Sequence, residues 1–253
     1  MVKLVRALDF PPFEIYYDVM EKMNFKITYS LIAKRVERWI RAVRRDFLDA
    51  AEIKVVGLDC EFTDPRKGNQ RASVLQLSVA QHTLVFHIVH ADEVPQVRID
   101  FLADKNIKFC GTAIHNDLDI LQTHGISIPS TINLQLILQN PVPRKQTPSL
   151  IHLANHSIRT DLEQKKKFNY KKNKPLKTAK ELEEETLIFG WGDFPLSHKQ
   201  LQYAALDARF GFELGRRHFR TLGYNSHMDR LGLNIYEYTH GGVVCGIVCA
   251  FYV

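Results

Sequence analysis

The sequence has few cysteines and no long apolar run, and both absences limit what the protein can be. Its 253 residues include four cysteines, none in the paired spacing of a zinc site and too few for a disulfide scaffold. No run approaches the roughly 18 apolar residues of a membrane span, and the first ten residues lack the apolar core of a secretory leader. We therefore expect a soluble, intracellular protein of the nucleus or cytoplasm, with no membrane partner.

The composition fits one sizeable globular domain with short extensions. Hydrophobic residues make up 45% of the chain and charged residues 25%, which is enough apolar material to bury a core. The formal net charge is +6. Such a charge suits a polyanionic partner but equally a solvated basic surface, so it favours nucleic acid only slightly.

The apolar stretch 55–62 ends in two carboxylates, Asp59 and Glu61. Residues two apart leave the same face of a strand, so these two charges repel each other. A divalent cation held by oxygen ligands is the simplest agent that offsets such a pair. An Asp-x-Glu pattern also arises by chance, as the second copy at 161–163 illustrates, because it follows no apolar run. The preceding apolar strand is what favours a metal site at the first copy.

Hydrophobic periodicity predicts the elements around this strand. The predicted strands cover 14–19, 25–30, 53–62, 73–80, 82–89 and 107–114, and the predicted helices cover 36–43, 97–103, 115–124, 149–156 and 198–221. Residues 128–138 are predicted to carry a short strand or helix. The three strands between 53 and 89 lie close enough in sequence to form an antiparallel meander.

These elements predict an α/β fold with a mixed sheet of five to six strands flanked by helices. Residues 1–50 are predicted to form an N-terminal extension, a hairpin plus a basic amphipathic helix, packed on the core. Residues 51–223 form the main domain, and 224–253 are an apolar C-terminal tail.

Asp117 and the pair Tyr203 and Asp207 are further candidate functional residues because of their places in the predicted elements. Asp117 stands where a strand becomes a helix, a place where α/β folds put functional groups; a helix cap or a carboxylate facing the helix dipole is the better interpretation of this residue alone. Tyr203 and Asp207 are four apart and share a face of the long helix. A core tyrosine beside a capping or salt-bridged acid is the simpler interpretation of that pair alone.

The stretch 165–180 holds eight lysines and no acid, with two aromatic residues between them. Such a stretch can follow a phosphate backbone and offer a ring for base stacking. A mobile loop or a nuclear-import signal explains it equally well. The candidate nucleic-acid contacts in it are Lys165, Lys166, Lys167, Lys171 and Lys172.

The order of these motifs resembles the DEDDy branch of the DnaQ-like 3'-5' exonucleases, which carry Asp-x-Glu, a central Asp and Tyr-x-x-x-Asp. The segments 56–61, 72–77, 109–117 and 191–208 are most similar to Werner syndrome-like exonuclease domains, and the leading hairpin and helix resemble small plant relatives. The resemblance covers about residues 53–220. It implies an RNase H-like fold and removal of nucleotides from the 3' end of DNA or RNA as 5'-monophosphates.

The resemblance also implies a role for each matched residue. Asp59, Glu61, Asp117 and Asp207 are similar to the family's metal ligands, and Tyr203 to the residue that orients or deprotonates the attacking water. A related branch has a histidine five residues before the last Asp, where this chain has Gln202, so the tyrosine type is indicated. An all-oxygen ligand set fits two Mg²⁺ or Mn²⁺ ions.

The expected partner is nucleic acid with a single-stranded, recessed or overhanging 3' end, contacted by Phe62, Leu75 and Asn116 in addition to the lysines. Phe62 stands where tryptophan is common in relatives, which alters packing or the terminal-nucleotide contact. No helicase motif is present, so a helicase partner would be a separate protein. The apolar tail and the ring-forming relatives favour a homo-oligomer. The alternative function is a catalytically silent nucleic-acid-binding or adaptor module on the same fold, which usually lacks one of the four acids; this chain lacks none.

Overall fold

One mixed sheet runs through the residues described by the computed structural model, which are 3–6, 14–20, 23–123, 125–160, 162 and 178–230. Its strands are β1 Lys3–Arg6, β2 Glu14–Met20, β3 Met23–Ser30, β4 Lys54–Phe62, β5 Ala72–Val79, β6 His82–Phe86, β7 Ile107–Gly111 and β8 Thr131–Asn133. They lie in the order β1-β2-β3-β6-β5-β4-β7-β8. The predicted mixed sheet is confirmed.

The strand directions bring the ends of two central strands, β4 and β7, to the same edge of the sheet. β4, β5 and β6 form the predicted antiparallel meander. On the other side of β4, β7 pairs parallel to it, and β8 pairs parallel to β7. Because parallel strands end at the same edge, the carboxyl ends of β4 and β7 lie side by side.

The N-terminal strands extend this sheet. β2 and β3 form the predicted hairpin, and β3 then pairs parallel with β6 along 26–30 and 82–86. Alternate residues of β3, namely Phe25, Ile27 and Tyr29, are buried. The described strands therefore number eight, whereas five to six were predicted for a sheet without the hairpin.

Eight helices flank the sheet in the described residues. They are α1 Ala33–Val43, α2 Gln96–Ala103, α3 Ile114–Thr123, α4 Leu134–Ile137, α5 Leu150–Ile158, α6 Ala179–Phe189, α7 His198–Thr221 and α8 His227–Arg230. A further helical turn, Arg44–Leu48, continues α1. None of these helices combines the length and the apolar character that crossing a membrane requires.

Helix α6 was not predicted, although its start carries a recognisable signal. The side chain of Thr178 accepts from the backbone N–H of Glu181, and the Glu181 side chain accepts from the N–H of Thr178. This reciprocal arrangement is a capping box, which the pattern Thr-x-x-Glu predicts. The neighbouring lysine stretch hid the signal because its composition is typical of a loop.

Glycines set the distance between α7 and the sheet. A side chain at Gly57 of β4 would place its Cβ 1.9 Å from the carbonyl oxygen of Ala208, and one at Gly211 of α7 would come 2.5 Å from that of Cys110. Only hydrogen fits at these positions, so the helix backbone lies directly on β4 and β7. This close approach brings the polar residues of α7 to the end of β4.

Candidate active site

The first two candidate ligands leave β4 on the side that faces α7. Gly57 points at Ala208 of that helix, and side chains two apart along a strand share a face, so Asp59 and Glu61 follow it towards α7. The pairing of β4 with β5 shifts between Glu61 and Phe62. This irregularity ends the regular ladder directly after the carboxylates, as bulges beside functional sites often do.

Helix α7 supplies the third carboxylate. One oxygen from each of Asp59, Glu61 and Asp207 lies within 4.8 Å of the others, and all three residues are partly exposed. Carboxylates this close repel each other, and a divalent cation with oxygen ligands turns that repulsion into attraction. The donor set therefore fits a hard cation such as Mg²⁺ or Mn²⁺.

Asp117 lies at the same edge of the sheet but outside this group of three. It is in the first turn of α3, which follows β7 after a turn at Ala113 in the left-handed conformation with φ 54°. The N–H of Ala113 donates to Oε1 of Gln135, whose Nε2 donates to the carbonyl of Pro148. Burial raises the pKa of Asp117 to about 7. An approaching cation would favour the ionised form of this carboxyl group.

Tyr203 lies on α7 one turn before Asp207, and its ring packs against a buried tryptophan. The centroids of the Tyr203 and Trp191 rings are 5.7 Å apart, with the planes tilted by 51°. The capping box of Ser197 and Gln200 starts the helix just before this turn. Ser197 is therefore the N-cap of α7, and this start places Tyr203 in the second turn.

The predicted nucleic-acid contacts divide into three groups. Leu75 is fully buried and pairs with Cys60, on the face of the sheet opposite the carboxylates, so the prediction that it contacts nucleic acid is wrong. Phe62 is half-buried at the end of β4, and Asn116 lies in the first turn of α3. The five candidate lysines at 165, 166, 167, 171 and 172, like the tail beyond residue 230, lie outside the described residues.

Sequence reasoning gave no role to Gly57 or to Gln76, and both belong to the site. A glycine inside an apolar strand indicates a close backbone approach, so Gly57 carried a usable signal. Gln76 is the cross-strand partner of Asp59 and is fully buried. Among the described residues, neither its amide oxygen nor its amide nitrogen meets a hydrogen-bond partner. Only the strand register could reveal that this amide shares the sheet face of Asp59.

Comparison with known families agrees with this geometry. The profile of the 3'-5' exonuclease family matches residues 41–217, which are more than half of the chain and include all four acids and Tyr203. The chain belongs to the 3'-5' exonuclease family. Its match begins within α1 and ends within α7, so β1, β2 and β3 precede the matched part.

Individual relatives resemble this exonuclease in sequence or in fold, at low sequence identity. The chain is 28% identical over 161 residues to the bifunctional 3'-5' exonuclease/ATP-dependent helicase WRN of Mus musculus, covering 62% of this chain and 10% of the mouse protein. RNase D of Escherichia coli superposes with a TM-score of 0.55 at 17% identity, covering 83% of this chain and 46% of the other. The Nibbler exonuclease domain of Aedes aegypti gives 0.55 at 14% identity, covering 82% and 95%. The RNase H-like fold of the DnaQ-like exonucleases is confirmed.

Proposed function

We propose that this chain removes nucleotides one at a time from the 3' end of DNA or RNA and releases nucleoside 5'-monophosphates. The observation that carries the proposal is the meeting of Asp59, Glu61 and Asp207 within 4.8 Å at the edge of the sheet. Two divalent ions held there would stabilise both the attacking and the leaving oxygen of the phosphodiester. Family membership supports the direction of cleavage.

Each residue has a distinct part in this proposal. Asp59, Glu61 and Asp207 bind the cations, and Asp117 completes the ligand set from the neighbouring strand end. Tyr203 orients the attacking water. A phenol has an ordinary pKa near 10, so positioning the water suits it better than removing its proton at neutral pH.

The substrate is expected to lie along the edge where β4 and β7 end. Phe62 follows Glu61 directly, and a half-buried ring in that place can pack against a terminal base. The mouse relative carries a helicase in the same protein, as its name states. A separate helicase partner and self-association remain predictions for this chain, as do the lysine contacts.

A catalytically silent adaptor on the same fold is the alternative, and the site does not favour it. Silent modules are expected to lose one of the four acids, whereas Asp59, Glu61, Asp117 and Asp207 are all present. Three of them are also brought together. A chain that only binds has no need to gather repelling carboxylates at a partly exposed edge.

The test is a degradation assay with 5'-labelled 3'-overhang DNA and single-stranded RNA, in Mg²⁺, Mn²⁺ or EDTA. We expect a metal-dependent ladder that shortens from the 3' end and that is absent for Asp59→Ala and for Asp117→Ala. Asp119→Ala is the matched control, because Asp119 is an exposed acid on the same helix as Asp117. Intact substrates in every lane, with a mobility shift on a native gel, would favour the adaptor.

The role of Tyr203 has its own test. Tyr203→Phe removes only the hydroxyl, so hydrolysis should slow by about 10²-fold while the affinity for Mn²⁺ stays at its wild-type value. An unchanged rate would leave the phenol without a part in the reaction.

A further inference from the structure

The backbone carbonyl of Trp191 accepts two buried side-chain hydrogen bonds. Ser73 Oγ donates to it at 2.6 Å, and His87 Nε2 lies 2.9 Å from it. Ser73, His87 and Trp191 are at most 1% exposed. A carbonyl oxygen has two lone pairs, and here both are used. The carbonyl of Trp191 is therefore held from two segments at once, strand β5 and the residue that follows β6.

The other nitrogen of His87 extends this arrangement to β3. Its Nδ1 lies 2.8 Å from the hydroxyl of Tyr29. Because a carbonyl only accepts, Nε2 carries the ring proton, and Tyr29 then donates to Nδ1. Burial lowers the pKa of His87 to about 4, so the ring keeps this neutral form at physiological pH. A continuous chain of hydrogen bonds thus leads from Tyr29 to Trp191.

Trp191 in turn contacts Tyr203 of the candidate active site. Its ring packs against that of Tyr203, with the centroids 5.7 Å apart. Trp191 belongs to an apolar cluster separate from the main core. Its members come from β3, β5, β6, the turn at 191–196 and the first turns of α7, and Tyr203 packs on them; they are Phe25, Ile27, Tyr29, Val74, Val85, Trp191, Leu196, Leu201, Ala204 and Ala205.

We propose that Tyr29, Ser73 and His87 are positioning residues, which hold Trp191 and through it keep the Tyr203 ring where it can orient the attacking water. This inference rests on the proposed function for the role of Tyr203. It assigns part of the site to β3, which lies outside the residues 41–217 that match the exonuclease family.

Two serines on the same strand provide a matched test. Ser73→Ala removes the bond to Trp191, and Ser78→Ala removes an equally buried hydroxyl that bonds to Thr83 at 3.0 Å. Both variants should lose similar stability. Only Ser73→Ala should lower kcat, by about tenfold, with KM and Mn²⁺ affinity unchanged, since a small misplacement of a catalytic group is costly. Equal kcat values for the two variants would overturn the inference.

A double-mutant cycle shows whether the effect passes through Tyr203. Ser73→Ala in a Tyr203→Phe background should cause little further loss, because the group it positions is already gone. A full additional tenfold loss would mean that Ser73 acts on something else. Tyr29→Phe should behave like Ser73→Ala, and Tyr224→Phe, the same change at an exposed tyrosine, should match wild type.

Fluorescence reports on the contact without catalysis. The chain has two tryptophans, so Trp39→Phe leaves Trp191 as the sole tryptophan, which is excited selectively at about 295 nm. In that background Ser73→Ala should shift the emission to longer wavelength, and Ser78→Ala should not; no difference between them would refute the restraint.

A wild type that cleaves nothing refutes the proposed function, whereas an active wild type with equal kcat in the two serine variants refutes this inference alone.

Discussion

Two acids of α7, Asp207 and Glu213, lie in opposite charge environments. We call the surroundings of Asp207 the near end of the helix and those of Glu213 the far end. At the near end, Asp207 meets two other carboxylates within 4.8 Å, all partly exposed. At the far end, Glu213 is fully buried between arginines. Arg216 donates to it at 2.7 and 3.1 Å, and Arg217 at 2.7 Å. One helix therefore carries one acid that lies among other acids and one that lies among arginines.

The far end shows what charge compensation within the chain looks like. Burial by itself would raise the pKa of Glu213, but Arg216, Arg209 and Arg217 outweigh it and hold the pKa below its usual value. Arg216 also pairs with Asp229 at the start of α8, whose Oδ2 accepts from the N–H and hydroxyl of Ser226. These charges are compensated within the fold, so removing one partner would leave a buried charge without its counter-ion.

The near end instead suits a cation that binds reversibly. Its three carboxylates are partly exposed and lie within 4.8 Å of one another, and a cation between them would relieve their repulsion. The contrast teaches that an acid's environment, more than its presence, separates a binding group from a structural one. The predictions on Asp207, on Glu213 and on the bound metal test that contrast.

The largest difference is expected from Asp207→Asn. The substitution keeps the shape of the side chain and removes the charge that would bind a cation, so hydrolysis should fall about a thousandfold or more. The melting temperature without metal should stay the same or rise, because repulsion with Asp59 and Glu61 is relieved. Gel-based kinetics and calorimetry measure both. Wild-type activity in this variant would remove Asp207 from the site.

The same kind of change at the far end should lower the stability and leave catalysis unchanged. Glu213→Gln leaves Arg216 and Arg217 with a buried neutral amide in place of their counter-ion, and breaking such a cluster costs about 3–5 kcal/mol. Urea unfolding should show this loss. Below its melting temperature the variant should keep kcat near wild type, and a strong loss of kcat in folded protein would contradict the division between the two ends.

A pH effect is expected at His82, which lies at the start of β6. Burial, followed by the nearby charge of Lys26, lowers the pKa of His82 to about 4. Only the unfolded chain then binds a proton as the pH falls below about 6.5, so stability is complete above pH 6.5 and is lost towards pH 4, by up to about 3 kcal/mol. His82→Gln should flatten the pH dependence of the unfolding free energy measured without metal. A curve parallel to wild type would show that His82 does not contribute.

The smallest expected effect is metal-dependent stabilisation of the near end. Mg²⁺ or Mn²⁺ at a hundred times its dissociation constant should stabilise the wild type by about 2.7 kcal/mol. Asp207→Asn should lose most of this shift, while Glu213→Gln should retain it, because its charges lie apart from the cation ligands. Differential scanning calorimetry with and without EDTA measures the shift, and an equal shift in both variants would place the cation elsewhere.

Much of the fold was predictable from local patterns. The bounds 198–221 of α7 were predicted as observed, because an apolar stripe and a serine cap are written into adjacent residues. The meander of β4 to β6 followed from short connections. Helix α6 was missed because the lysine-rich stretch before it has the composition of a loop. The joining of β3 to β6 was missed because nothing local specifies a pairing across more than fifty residues.

The site divides in the same way. Asp59 and Glu61 could be placed on one face from their spacing alone, whereas their meeting with Asp207 depends on how closely α7 lies on the sheet. Leu75 shows the limit of transferring a role from a motif, since the register turned its side chain into the core.

By itself, then, the sequence determined which residues are the candidates for the chemistry, because the spacing of acids along a strand and a helix is a local property. The tertiary structure decided which of them meet. It did so through two glycines, Gly57 and Gly211, that let a helix backbone touch the sheet. It also joined strand β3 to Trp191, because Tyr29 of β3 bonds to His87 and His87 bonds to the carbonyl of Trp191. Both effects depend on distances between segments far apart in the chain, which only the packed fold fixes.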